Sequence, residues 1–196
     1  MNIKQKIIPK GRPNRPERAL ASKKLTIHNT ANPAKNANAE GHAKYLVSTT
    51  EKKSWHFTCD DTEIFQHLPT NEIGYHAKSG NSKSIGIEIC ENQGINHEDA
   101  TDNAAKLSAH LLKELGLEVE DVVTHKFWTG KNCPRLLLDK RTEGAKWKAF
   151  KEKVRTYFQQ EDAAIKGLLS LDSVTLSPAT AADDLIDLDH ETVVIA

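Results

Sequence analysis

The sequence contains no run of eighteen apolar residues, so it predicts no transmembrane helix. Its basic opening, residues 1–18, lacks the apolar segment that a secretory signal peptide requires. We therefore expect a protein that is made in the cytoplasm without a signal peptide. If it acts outside the cell, another factor must release it.

Cysteine is scarce, and the three that occur are Cys59, Cys90 and Cys133. Their odd number and wide spacing argue against a disulfide framework. At least one thiol is therefore left for another role, and a reduced, cytosolic origin is expected.

The formal net charge of zero hides an asymmetry between the two parts of the chain. Residues 161–196 carry eight acidic side chains against Lys166 alone, so residues 1–160 have a net charge of +7. A modestly basic body suits an anionic polymer but equally suits an ordinary solvated surface. Because no basic patch interleaved with aromatic residues accompanies this charge, we predict no nucleic-acid partner.

Hydrophobic periodicity divides the body into alternating strands and helices. The predicted strands cover residues 23–30, 55–59, 63–67, 84–90 and 121–124, and the predicted helices cover residues 37–48, 97–117 and 143–159. Gly116 is the expected C-cap of the second helix. This alternation predicts an α/β fold in which helices flank a central sheet.

Both ends of the chain differ in composition from the body. Residues 1–22 are rich in Pro, Arg and Lys and are expected to form an extended arm on a single domain of residues 1–160. Residues 161–196 are acidic and contain no aromatic residue, which indicates a linker with a small C-terminal element. The element fits a truncated or divergent targeting element, an oligomerisation strand or a disordered segment. The sequence does not indicate the oligomeric state.

Three residues with metal-binding side chains lie at or after the ends of predicted strands: His28, His125 and Cys133. Zinc binds imidazole and thiolate, and a catalytic site uses three protein ligands. Loops at strand ends converge in an α/β sheet, so the three side chains are candidates for one zinc site. Ordinary packing of these residues, or a thiol nucleophile at Cys133, is also compatible with the spacing.

Glu88 interrupts the alternating isoleucines of the strand SIGIEIC. An unpaired carboxylate is costly to bury, so Glu88 either faces solvent or belongs to a site that uses its charge.

Seven ordered blocks of the sequence resemble the zinc-dependent N-acetylmuramoyl-L-alanine amidases of the type 2 amidase family. The blocks are IPKGRPNRP, LTIHNTANP, NAEGHAKYLVS, SWHFTCDD, QHLPTNEIGYHA, SIGIEICEN and THKFWTGKNCPRLL. The resemblance runs from about Ile8 to Phe158. The family includes phage endolysins and bacterial autolysins, and it shares its mixed-sheet α/β fold with the peptidoglycan recognition proteins.

The resemblance implies a role for individual residues. The family's zinc ligands correspond to His28, His125 and Cys133. Its general base corresponds to Glu88, and the lysine that stabilises the oxyanion corresponds to Lys131. One Zn²⁺ ion is the implied cofactor.

The implied substrate is peptidoglycan, cleaved at the amide bond between N-acetylmuramic acid and L-alanine of the stem peptide. Trp55, His56 and His76 fall where the family lines its substrate groove. The implied place of action is the bacterial cell wall, reached after holin-mediated release or lysis.

Two other functions compete with the amidase interpretation. A receptor of the same fold would bind peptidoglycan without cleaving it, but it would not need the complete set of zinc ligands, base and lysine. A cysteine peptidase using Cys133 and His125 would be inactivated by thiol alkylation and would be insensitive to chelation.

Overall fold

The computed structural model describes residues 1–174, with side chains described for residues 1–163. A first compact unit covers Met1–Asp162. The strands are β1 (Lys4–Gln5), β2 (Lys24–Asn29), β3 (Phe57–Cys59), β4 (Ile64–Gln66), β5 (Ser84–Ile89) and β6 (Val122–Thr124). The helices are α1 (Ala39–Ser48), α2 (His97–Leu115), α3 (His125–Thr129) and α4 (Ala145–Val174).

The six strands form one sheet in the order β1-β4-β3-β5-β2-β6. The β3–β4 pair is antiparallel and the other neighbours are parallel, so the predicted mixed sheet with flanking helices is confirmed. The turn between β3 and β4 is held by Asp60, whose Oδ1 accepts hydrogen bonds from the backbone N–H groups of Thr62 and Glu63.

Strict alternation along β2 and β5 gives the sheet two chemically different faces. Leu25 and Ile27 of β2 lie beside Ile85 and Ile87 of β5, and all four are fully buried. This apolar face belongs to the main core with residues of α2 and α4, such as Leu107. The opposite face carries the polar residues of the same strands.

The boundaries of α2 follow from its capping residues. The side chain of Asn96 accepts hydrogen bonds from the N–H groups of Glu98 and Asp99 at the first turn. Gly116 takes a left-handed conformation, with φ of 62°, at the other end. The C-cap predicted at Gly116 is therefore confirmed.

The N-terminal arm is anchored to the domain at several points. Its residues Lys4 and Gln5 add a parallel edge strand to β4, and Ile8 is fully buried in a second apolar cluster. The Arg15 guanidinium also forms an ion pair with Glu72. The arm is thus a structural part of the first unit.

The last helix differs from its predicted extent because it continues beyond residue 159 to Val174. The sequence from 160 to 174 contains several Ala and Leu residues and no proline, and its one glycine, Gly167, costs a helix only about 1 kcal/mol. The predicted linker therefore begins as helix, and the predicted C-terminal element at 175–196 lies outside the described residues. None of the helices in the described part of the chain has both the length and the apolarity needed to cross a bilayer.

Candidate metal and catalytic site

The polar face of the sheet places His28 and Glu88 side by side. The two residues are direct partners in the parallel register of β2 and β5, so their side chains point to the same face. Glu88 Oε1 lies 4.0 Å from His28 Nδ1. The strand ends thereby bring together two residues that are distant in sequence.

The short helix α3 carries His125 into the same site. Thr124 caps this helix by accepting a hydrogen bond from the N–H of Phe127, so His125 is its first residue. Gly130, with φ of 73°, ends the helix and reverses the chain. The carbonyl of Cys133 then accepts a hydrogen bond from the N–H of Lys126, which fixes the returning loop beside His125.

His28, His125 and Cys133 form a compact cluster of buried donor atoms. One ligand atom from each lies within 4.8 Å of the others, and Cys133 Sγ is 3.8 Å from His28 Nδ1. Among the residues that the structure describes, the buried Nδ1 of His125 has no hydrogen-bond partner. Two imidazoles and one thiol with such spacing fit a transition-metal ion, and the predicted ligand set is therefore brought together.

Burial controls the protonation of the three donors. It lowers the pKa of His28 well below its ordinary value, lowers the pKa of His125 to about 4 and raises the pKa of Cys133 to about 12. Both imidazoles are thus neutral, which is the form that binds metal ions. A divalent cation at this position favours the thiolate of Cys133 strongly enough to reverse the effect of burial.

Glu88 is a largely buried carboxyl group with unused hydrogen-bonding capacity. Its Oε2 has no hydrogen-bond partner within the described part of the chain. Burial raises the pKa of Glu88 to about 8, whereas the positive charge of Lys131 acts to lower it. A bound cation would lower it further. Such a group is poised to exchange a proton near neutral pH.

Two grooves flank this cluster. One of about 550 Å³ is lined in part by His42, Tyr45, Trp55 and Glu88. The other, of about 500 Å³, is lined by Lys52, Tyr75, His76, Lys78, Asn81, His125, Thr129 and Lys131. Of the residues predicted to contact substrate, Trp55 thus lines the first groove and His76 lines the second.

The predicted substrate residue His56 lies elsewhere, because its side chain is fully buried and lines neither groove. Its Nδ1 accepts a hydrogen bond from the N–H of Gly86, and its Nε2 donates one to the carbonyl of Glu72. Both ring nitrogens are occupied within the protein, so this geometry gives no support to substrate binding by His56.

Sequence reasoning missed the residues that hold the Cys133 loop in place. Asn29 Oδ1 accepts a hydrogen bond from the N–H of Leu136. Arg135 forms an ion pair with Glu91, whose side chain is only 1% exposed. A signal for Glu91 was present, since this carboxylate directly follows the strand SIGIEIC at the end where the site forms.

Three buried histidines predict a loss of stability in acid. Burial lowers the pKa of His42 and of His56 to about 4 and that of His67 to about 3. Because an unfolded histidine titrates near pH 6.5, the unfolded state binds more protons once the pH falls below that value. The stabilisation is complete above pH 6.5 and is lost as the pH falls towards the folded pKa, by up to about 1.4 kcal/mol per pH unit for each histidine.

Denaturant unfolding at pH 7, 6 and 5 would measure this dependence. His42→Gln removes one of the three histidines, so the free energy of unfolding should fall less steeply with decreasing pH than in the wild type. Equal slopes for the wild type and His42→Gln would contradict the assignment.

A buried set of two histidines and one cysteine beside a carboxylate, at the strand ends of an α/β sheet, fits the ligands and the base of a metal-dependent hydrolase. The family model described as N-acetylmuramoyl-L-alanine amidase matches residues 18–136. The chain therefore belongs to this amidase family, and the resemblance noted in the sequence motifs is confirmed.

Individual relatives agree with this assignment. XlyA of Bacillus subtilis (strain 168), an N-acetylmuramoyl-L-alanine amidase, is 50% identical over 155 residues, which cover 77% of this chain and 50% of the relative. CwlH of the same strain, also an N-acetylmuramoyl-L-alanine amidase, is 50% identical over 144 residues, covering 71% of this chain and 58% of the relative. The catalytic domain of XlyA superposes with a TM-score of 0.73 at 49% identity and covers 79% of this chain and 99% of that domain. The chain thus spans about half the length of the curated relatives it matches.

Proposed function

We propose that the protein is a zinc-dependent peptidoglycan hydrolase that cleaves the amide bond between N-acetylmuramic acid and L-alanine of the stem peptide. The observation that carries this proposal is the clustering of His28, His125 and Cys133 with Glu88 Oε1 only 4.0 Å from His28 Nδ1. Membership of the amidase family supports the choice of substrate.

His28, His125 and Cys133 would hold the zinc ion, and a soft thiolate with two imidazoles favours zinc over magnesium or calcium. Bound zinc would supply Lewis acidity, which makes a water molecule more acidic and an amide carbonyl more electrophilic. The protein contributes a largely water-excluded sheet face, in which charged groups interact more strongly than in bulk water.

Glu88 then acts as the general base. Its carboxylate accepts a proton from the attacking water and passes it to the departing amine of L-alanine. Its Oε2, which has no hydrogen-bond partner among the described side chains, has the unused capacity for this transfer. Lys131 lines the second groove beside His125 and supplies a positive charge for the oxyanion that develops on the carbonyl oxygen.

We propose that peptidoglycan lies across both grooves, with Trp55 shaping the wall of the first. One structural relative is described as a mutant endolysin from Bacillus subtilis, at 50% identity and a TM-score of 0.73. By extension from such relatives, the proposed place of action is the bacterial cell wall. Release through a holin-made lesion stays a prediction.

Hydrolysis of purified peptidoglycan, with mass spectrometry of the released fragments, tests the proposal. We expect free stem peptides that begin with L-alanine, a loss of release on chelation and recovery when Zn²⁺ is restored. Binding without cleavage would indicate a receptor. Cleavage at a peptide bond, unaffected by chelation and abolished by thiol alkylation, would indicate a cysteine peptidase.

Replacing Lys131 with methionine should lower kcat by about 100-fold, because a lost oxyanion donor typically costs about 3 kcal/mol in the transition state. Lys78→Met is the matched control, since Lys78 lines the same groove and also carries a positive charge. We expect Lys78→Met to change KM rather than kcat. Equal losses of kcat in both variants would show that Lys131 contributes only to the general charge of the groove.

A further inference from the structure

The hydrogen bonds of His76 determine which of its ring nitrogens carries the proton. His76 Nε2 lies 3.1 Å from the backbone carbonyl oxygen of Ser84. A carbonyl oxygen only accepts hydrogen bonds, so Nε2 must be the donor. A neutral imidazole carries a proton on only one of its nitrogens. With that proton on Nε2, the Nδ1 of His76 is unprotonated and can act only as an acceptor.

This acceptor faces the predicted zinc ligand His28. His28 Nε2 is 3.0 Å from His76 Nδ1, so the hydrogen bond requires the proton to be on Nε2 of His28. In a neutral imidazole the other nitrogen then carries the lone pair. That nitrogen is His28 Nδ1, which lies 3.8 Å from Cys133 Sγ and 4.0 Å from Glu88 Oε1.

The backbone around His76 holds the ring in this position. A Cβ atom at Gly86 would lie 2.7 Å from His76 Nδ1 and 2.8 Å from its Cγ, so only glycine lets the ring lie across β5. Asn81 Oδ1 accepts hydrogen bonds from the N–H groups of His76 and Ala77, at 2.9 and 2.6 Å. The buried His56 ring packs against the His76 ring in a T-shaped arrangement, with an interplanar angle of 86° and ring centroids 5.8 Å apart.

We propose that His76 is a positioning residue, which fixes His28 in the Nε2–H tautomer so that its Nδ1 lone pair faces Cys133 and the metal. The sequence predicted His76 as a substrate contact. The proposal gives it a second function, which is to orient the buried ring of His28. The part of the proposal that concerns zinc rests on the proposed function, whereas the tautomer of His28 does not depend on it.

Two nearly isosteric substitutions separate the hydrogen bond from the shape of the side chain. In His76→Asn the amide oxygen can take the place of Nδ1 and accept from His28. In His76→Leu a methyl group occupies the same place and accepts nothing. Long-range ¹H–¹⁵N NMR of the metal-free protein reports the tautomer directly, and competition with a chromophoric chelator reports zinc affinity.

We expect His28 to be in the Nε2–H tautomer in the wild type and in His76→Asn, and to populate the Nδ1–H tautomer in His76→Leu. Zinc affinity should fall by about 10- to 100-fold in His76→Leu, the usual effect of removing a partner of a metal ligand, and by less in His76→Asn. An Nδ1–H tautomer of His28 in the wild type would overturn the proposal without requiring any variant to fold.

Unchanged tautomer and zinc affinity in a folded His76→Leu would overturn it as well. The same measurements distinguish a failure of this proposal from a failure of the proposed amidase function. A wild-type protein that releases no stem peptide, yet shows the Nε2–H tautomer and its loss in His76→Leu, would refute the amidase function and leave the role of His76 supported.

Discussion

Glu88→Gln is expected to lower peptidoglycan hydrolysis by about 100- to 10,000-fold, the range over which a positioned general base contributes. Glutamine keeps the size of the side chain but cannot accept the proton of the attacking water. The effect should fall on kcat, because the amide keeps the size and shape that the Glu88 side chain contributes to the wall of the first groove. Release of stem peptides from purified peptidoglycan measures the loss.

The variant should keep its metal and its substrate affinity. Glu88 is 4.0 Å from His28 Nδ1 and is not part of the three-donor cluster, so zinc content and wall binding in a pull-down should match the wild type. Glu114→Gln is the control, since Glu114 lies in the last turn of α2 and is 55% exposed. A Glu88→Gln variant with full activity would remove Glu88 from the mechanism.

Cys133→Ala is expected to abolish stoichiometric zinc binding and, with it, hydrolysis. Loss of a residue that hydrogen-bonds to a metal ligand typically lowers metal affinity 10- to 100-fold. Loss of a direct ligand should have a larger effect, so we expect zinc affinity to fall by more than about 100-fold. Two imidazoles alone do not complete the three-ligand set of a catalytic zinc site. Chelator competition and metal analysis of the purified protein measure the change.

Cys59→Ala is the matched control because Cys59 is equally buried but lies on the apolar face of the sheet, in the main core. It should retain zinc and activity at a small cost in stability. Substitution of cobalt gives a further readout, since thiolate-to-metal charge transfer should be present in the wild type and in Cys59→Ala but absent in Cys133→Ala. Zinc bound equally well by Cys133→Ala would exclude Cys133 as a ligand.

Local signals in the sequence were sufficient for most elements. The alternation in KKLTIHNT and SIGIEIC predicted β2 and β5, and Gly116 marked the end of α2. The predicted extent of α4 was too short because the change in composition near residue 160 was taken for a helix end. A shift towards acidic residues does not stop a helix, whereas a proline or a left-handed glycine does.

The candidate site was predictable in its residue types but not in its contacts. His28, His125 and Cys133 were selected because strand ends converge, and the structure brings them within 4.8 Å. The burial of His56 was not predictable, because a motif places residues along the chain and does not distinguish the surface of a groove from the layer beneath it. The ion pair of Glu91 with Arg135 likewise joins two segments through space.

The sequence by itself determined the family, five of the six strands and three of the four described α-helices, and the chemistry of the donors, because periodicity, caps and side-chain type are local properties. Only the tertiary structure decided that Glu88 pairs in register with His28, and that His76 directs the lone pair of His28 towards Cys133. Register, burial and hydrogen-bond direction depend on which segments pack together. Such contacts join residues far apart in the chain, so they are set by the packed sheet and not by any single stretch of sequence.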